Sequence, residues 1–335
     1  MTNATNILPF PANFEVGYVN SISTPCTEGM PPIFRVTSVN HRQEERCVRY
    51  TAHLYHDKAS LKVEWTRSQP DTRLRSFCLA SIRWNQRTTS HDGAVQISRL
   101  VLMEHPEPEE NLFRMVPPGW VKDRALIQQA TAMLEDLPRP YRYLFNAIFW
   151  NGERFRRFCM GPSSMHAHHN YDSGNLIHSI ELAQMMRVAL HEPDPRKEAL
   201  ATMVGLLHDA GKADEYHLSP KEDWTLTDRG KLLGHQVTVV EWIAVAHAKY
   251  PVHNLPREHY EALLHCLTCH AHAPEWLGIR KPRMREALLL SNFDQFTGQD
   301  ELMRRCAPKD VGWGSYHDKL KGGKPYKVEP IPVEL

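Results

Sequence analysis

The chain has 335 residues, with 40 Lys and Arg against 39 Asp and Glu, so its formal charge is only +1 and a uniformly basic nucleic-acid coat is excluded. With 41% hydrophobic and 24% charged residues it has a globular composition, not a disordered one. The length allows two or three domains, no apolar run reaches the ~18–20 residues of a membrane helix, and the start, Met1 to Asn6, lacks the features of a signal peptide. A cytoplasmic protein without membrane attachment is expected.

Residues 1–32, with Pro9, Pro11, Pro25, Pro31 and Pro32, carry no period and read as an irregular lead-in. From Ile33 to about 105 the pattern turns to short β-type runs. Val48, Tyr50, Ala52 and Leu54 alternate with Arg49, Thr51, His53 and Tyr55, and Leu61, Val63 and Trp65 alternate with polar residues. A small antiparallel β-barrel or sandwich is predicted. Residues 106–120, rich in Pro and Glu, read as a linker. Residues 121–305 predict helix after helix, near 121–137, 141–158, 175–191, 197–213, 230–250, 257–272 and 282–298, with prolines 138, 140, 193, 195, 251, 256, 274 and 282 in the gaps. Residues 306–335 form a tail. The expected fold class is α+β and multidomain, a β-barrel followed by an all-α domain.

Seven dispersed cysteines, an odd number, fit reduced thiols. The unusual feature of the composition is 20 His, many between His166 and His272. The strongest signal among them is Gly205-Leu206-Leu207-His208-Asp209-Ala210-Gly211-Lys212, an apolar helix that delivers a His-Asp pair. Neighbouring helical residues point about 100° apart, so the pair can approach one metal, or two adjacent metals, from different sides. His178 sits on an earlier apolar helix; His235, the run His265-Cys266-Leu267-Thr268-Cys269-His270-Ala271-His272 and Asp294 come later. Cys266, Cys269, His270 and His272 do not make a zinc knuckle, because Cys266 and His272 would stand ~9 Å apart along one helix and could not close a tetrahedron.

A His, a His-Asp pair, further His residues and a final Asp on separate helices resemble the HD phosphohydrolase superfamily. Residues 168–179, His168-His169-Asn170-Tyr171 through Leu176-Ile177-His178-Ser179, resemble the HHAYxGGLLEHT signature of YhaM-type 3′-to-5′ exoribonucleases. Residues 207–216 resemble their LHDIGKIxEL, 227–235 their TxxGxLLGH, and 264–299 their LxHxILSHHG…EAxxLxxxDxLDA stretch. Members carry an N-terminal OB-fold, which the predicted barrel resembles, so the likeness covers roughly 33–300. The resemblance implies His178, His208, Asp209 and Asp294 as metal ligands, with His235 and His270 completing a second site if two ions bind. The second His of SHHG is Ala271 here, so either His270 or His272 can serve. His168 and His169 are candidates for supporting the ligands or contacting phosphate, as is His272.

Imidazole and carboxylate together favour Mn²⁺, Fe²⁺, Co²⁺, Ni²⁺ or Zn²⁺ over Mg²⁺, and Mn²⁺ is the leading expectation, as one or two ions. Lys212, with Asp209, is the candidate catalytic group, placed to offset charge on phosphoryl oxygens. Between 31 and 105 there are twelve Lys and Arg against seven Asp and Glu, a local balance of +5 that leaves −4 for the rest. Such a barrel suits a single-stranded nucleic acid, with Arg35, Arg49 and Arg83 facing phosphates and Tyr55, Trp65 and Trp84 stacking on bases. The reading is a metal-dependent phosphodiesterase, a 3′-to-5′ exonuclease on single-stranded RNA or DNA releasing nucleoside monophosphates. Two alternatives stand beside it: a phosphohydrolase of nucleotides or other small phosphate esters, and a nucleic-acid-binding accessory protein of mobile elements with a vestigial HD site.

Overall fold

The computed structural model describes residues 29–85, 90–91, 93–165, 169–192, 194–219, 223–251 and 255–330. Most of the 1–32 lead-in, and His168, lie outside the described residues. The chain divides into two compact units, Met1–Thr131 with Asn146–Arg156, and Ala132–Phe145 with Arg157–Leu335.

The first unit is built on a closed barrel. Strands β1 (Phe34–Gln43), β2 (Val48–His56) and β3 (Ala59–Arg67) form an antiparallel meander, and β4 (Leu79–Trp84) pairs with β1. After the two-residue β5 (Ser90–His91), β6 (Ala94–Leu102) pairs antiparallel with β4 and closes onto β3. The closing seam, Val63 opposite Val95 and Glu64 opposite Gln96, is parallel, which corrects the wholly antiparallel barrel expected from the sequence. A parallel neighbour cannot follow through a hairpin, and the long excursion through β4 supplies the required crossover.

Alternation sets the barrel interior: Val48, Tyr50, Ala52 and Leu54 of β2 and Leu61, Val63 and Trp65 of β3 are all buried. Tyr50 and Trp65 are direct cross-strand partners and their rings stack at 4.9 Å. The 106–120 segment is packed rather than extended, with Leu112, Phe113, Met115 and Val116 buried around a short 3₁₀ turn.

The boundary between the units falls within α1 (Arg124–Asp136), α2 (Arg139–Phe149) and α3 (Gly152–Met160). The single helix predicted over 141–158 is two, because Asn151 Oδ1 accepts from the backbone N–H of Glu153 and Arg154 and so starts α3 afresh. In the second unit, α4 (Gly174–Leu190) packs on α5 (Ala199–Leu207), every residue of which is buried. A Cβ on Gly205 would stand 2.6 Å from Ala183 Cα, so only glycine allows these two helices to come so close.

The short α6 (Lys212–Glu215) leads into a two-stranded hairpin, β7 (Tyr216–Leu218) and β8 (Trp224–Leu226), where the sequence predicts no strand. Then come α7 (Asp228–Leu232), α8 (Gly234–Lys249), α9 (Arg257–Thr268) and α10 (Arg285–Cys306), the last running well past its predicted end. The tail is structured. A small ribbon of β9 (Gly312–Trp313) and β10 (Tyr326–Lys327) accompanies a cluster of Leu302, Cys306 and Leu320. Among the described residues no helix is long and apolar enough to cross a membrane.

Candidate metal centre

Two helices and one helix end bring the key side chains together. His178 is in the second turn of α4, His208 caps α5 with Asp209 next, and Asp294 lies midway along α10. Their ligand atoms all fall within 4.8 Å of one another, and among the described residues this is the one set of His, Cys, Asp and Glu groups so arranged. The first and last of the four stand 116 positions apart in the chain; the packing of α10 on α4 and α5 closes that gap.

The individual separations fit a shared cation. His178 Nε2 lies 3.0 Å from Asp294 Oδ1 and 3.5 Å from Asp209 Oδ2. His208 Nε2 lies 3.5 Å from Asp209 Oδ2 and 3.7 Å from Asp294 Oδ1. Donors that each stand ~2.1 Å from one ion are ~3.0–3.4 Å apart at octahedral or tetrahedral angles. His208 Nε2 is buried and has no hydrogen-bond partner, while Nδ1–H donates to the Gly205 carbonyl at 2.8 Å. That bond fixes the tautomer and leaves the Nε2 lone pair aimed into the cluster, the arrangement expected of a metal-ligating histidine. Thr297, whose hydroxyl donates to the Phe293 carbonyl, presents its oxygen to His178 Nδ1 at 3.5 Å.

Asp209 is the hub. Its Oδ2 accepts from Lys212 Nζ at 2.5 Å and from Ser163 Oγ at 3.3 Å, and its Oδ1 faces His235 Nε2 at 3.4 Å. His235 Nδ1 in turn lies 3.2 Å from buried Glu215. Burial opposes the charge on Asp209, but the cations and imidazoles of Lys212, His208, His235 and His178 hold its carboxyl well below the usual carboxylate range. Burial pushes the His178 imidazole down; at His208 the two carboxylates outweigh burial and push it up. The Asp294 side chain stays 48% exposed, so the cluster opens to solvent on the α10 side.

Gly211 explains how His235 comes so near. A Cβ there would stand 2.1 Å from the His235 carbonyl oxygen, so the start of α8 lies directly against the turn that follows the His-Asp pair. Ser163, Glu215 and Thr297 escape a reading of the sequence. Thr297 had a usable signal, since it lies one turn after Asp294 on the same helix; Ser163 had none, because it meets Asp209 only through the tertiary fold.

The other site candidates are placed as follows. His169 is buried, with Nδ1 2.8 Å from Tyr171 OH and Nε2 3.3 Å from Glu181, and its ring lies 5.4 Å from that of His178. It therefore sits behind a cluster residue. His270 and His272 are exposed on the turn beyond α9, with rings 6.2 Å apart, and the four-residue cluster does not include them.

In the barrel unit, Arg35 and Trp65 are corrected as strand-binding candidates because both are inside. Arg35 donates to the carbonyls of Met115 and Phe77 and lies over the rings of Trp120 and Phe155. Trp65 is 2% exposed, stacked on Tyr50. Arg49 is exposed but lies 2.7 Å from Glu44 and 2.6 Å from Glu64. Tyr55 is half-buried and accepts from Arg124; Arg83 is exposed; Trp84 is half-buried against the barrel core.

A cluster of two imidazoles and two carboxylates on packed helices, buried except at Asp294, defines a centre able to hold a divalent metal ion. Comparison with known proteins then gives a particular relative. The chain is homologous over about half its length to curated proteins named 3′-5′ exoribonuclease YhaM: it is 29% identical over 166 residues to that of Bacillus licheniformis, 31% over 162 residues to that of Listeria monocytogenes serotype 4b, and 30% over 164 residues to that of Shouchella clausii. These matches cover 49%, 48% and 49% of this chain and 51%, 50% and 49% of the relatives, so the chain spans about half the length of the curated relatives it matches. No family model matches the chain, and no solved structure matches it.

Proposed function

We propose that the protein is a metal-dependent phosphodiesterase of HD type, a cytoplasmic 3′-to-5′ exonuclease that shortens single-stranded RNA or DNA to nucleoside monophosphates. The observation that carries this is the convergence of His178, His208, Asp209 and Asp294 within 4.8 Å, in a chain whose curated relatives are named exoribonucleases. His178, His208, Asp209 and Asp294 would hold the ion, Mn²⁺ first among those suited to mixed nitrogen and oxygen donors. Asp209, with its second oxygen toward His235, would serve a second ion where two bind. A divalent cation in such a site supplies Lewis acidity at phosphorus and activation of water near neutral pH.

The protein's own groups do the rest. Ser163 and Lys212 fix the Asp209 carboxylate, Gly205 and Thr297 fix the two imidazoles, and Glu215 orients His235. Lys212, anchored on Asp209, brings positive charge to the edge of the cluster where charge would build on the phosphoryl oxygens. The opening at Asp294 admits a strand end.

The barrel supports the strand-binding half of the reading. Its cyclic order, β1-β2-β3-β6-β4, with the parallel β3–β6 seam, fits an OB-like module. Arg83 and Arg99 stand directly opposite one another on β4 and β6, a like-charge pair that a polyanion would neutralise.

The test is a 5′-labelled single strand incubated with the protein and Mn²⁺. Stepwise shortening from the 3′ end is expected, and Asp209→Asn should abolish it. A folded protein that leaves the strand intact across several divalent metals overturns the proposal.

A further inference from the structure

Between α9 and α10 the chain carries a short stretch, residues 276–285, whose chemistry the metal centre does not use. Trp276 is 83% exposed, and Leu277 and Ile279 beside it are 52% and 36% exposed. The same stretch contributes four cations, Arg280, Lys281, Arg283 and Arg285, and no acidic residue. All four cations are exposed and none forms an ion pair among the described residues. A tryptophan this far out in solvent gains nothing from burial within the fold, and four cations close together in the chain, with Glu275 and Glu286 only at the two ends of the stretch, repel one another, so both features are unfavourable in the isolated chain.

The segment is nonetheless held in one shape. The His270 N–H donates to the Arg280 carbonyl at 2.9 Å, the Arg283 N–H donates to His265 Nε2 at 2.9 Å, and Leu277 N–H donates to the Pro274 carbonyl at 3.1 Å. Arg285 then donates to the Ala189 carbonyl at the end of α4, which ties the start of α10 to the helix that carries His178. Asp294 follows nine residues along α10, ~14 Å of helix from Arg285.

We infer that the 276–285 segment is a landing surface for the single strand, with Trp276 stacking on a base and Arg280, Lys281 and Arg283 pairing with the phosphates on either side. Aromatic faces accept any base, and cations track the backbone without reading sequence, which is what an enzyme removing successive nucleotides requires. The choice of a strand over a lipid surface rests on position: the segment opens α10, which brings Asp294 to the cluster. The inference rests on the nuclease reading above for its substrate class, and it is tested by binding rather than turnover.

The experiment uses the full chain in EDTA, with short fluorescein-labelled oligouridylate and oligodeoxythymidylate followed by fluorescence anisotropy. Trp276→Ala should weaken binding about tenfold, and Trp276→Phe should keep affinity within about threefold of wild type, because a phenyl ring still stacks. Arg280→Glu with Lys281→Glu should weaken binding and flatten its salt dependence, by about 0.7 in the log–log slope for each phosphate no longer neutralised. Unchanged affinity and slope in all variants overturn the inference. So does a change confined to self-association in light scattering, or to binding of anionic phospholipid vesicles, with oligonucleotide affinity intact. If strands are not shortened but Trp276→Ala still loses affinity, the nuclease reading falls and the landing surface stands; if strands are shortened and the variants bind as wild type does, the landing surface falls and the nuclease reading stands.

Discussion

Two cations withdrawn from solvent, Arg35 in the barrel unit and Lys212 in the helical unit, are held in opposite ways. Arg35 donates to neutral carbonyls of Met115 and Phe77 and lies over the rings of Trp120 and Phe155. Lys212 meets the Asp209 carboxylate in the midst of three imidazoles. A cation satisfied by carbonyl dipoles and ring faces joins strand to loop and does nothing further. One that faces a carboxylate shared with several titratable groups marks a place where charge is managed, and such places are where chemistry is sought. The residue type is the same in kind, and the partners decide the role.

The contrast can be broken by substitution. The largest effect belongs to the cluster itself: His208→Ala removes the buried Nε2 donor and should lower Mn²⁺-dependent strand shortening by more than about 10³-fold, with metal affinity in calorimetry falling alongside. Retained metal binding at wild-type strength would deny His208 its place. Lys212→Met should lower kcat about 10²-fold, and on the proposed role, in which its charge acts on the reacting phosphate, the loss should appear in kcat more than in KM. An unaltered kcat would make Lys212 a second Arg35.

Arg35→Met should act on folding alone. It leaves the carbonyls of Phe77 and Met115 without their donor, at about 2–3 kcal/mol in urea unfolding, with no change in metal affinity. Loss of metal binding without loss of stability would reverse the distinction drawn between the two cations. The smallest effect is expected at Arg49, exposed on the barrel and paired with Glu44 and Glu64; Arg49→Ala should unfold at the wild-type midpoint within error.

The same contrast explains what was legible in the sequence. Period-two alternation in 48–54 and 61–65 is a local signal, and it places the strands and the barrel interior correctly. The order His178, His208-Asp209, Asp294 is likewise readable, because His178 and the His-Asp pair interrupt apolar runs and the likeness to the family motifs adds Asp294, which sits among polar residues of α10. Trp65 is misread against that same alternation, which sets it inside with Leu61 and Val63, and Arg35 is misread because composition alone puts it on a surface. Burial on both sides of Ile33-Phe34-Arg35-Val36 depends on partners 42 to 80 positions away, which no local pattern reports. The parallel β3–β6 seam and the approach of Ser163 to Asp209 are hidden for the same reason. His270 and His272, chosen by their likeness to a motif, lie on an exposed turn once α9 ends at Thr268 rather than continuing.

The approach of Gly211 to the His235 backbone has a mechanical meaning. Because main chain touches main chain there, with no side chain between, the backbones that carry Asp209 and His235 are held at one spacing, and the two side chains meet at 3.4 Å from those fixed anchor points. A single added methyl at position 211 would wedge the two backbones apart and carry His235 away from Asp209.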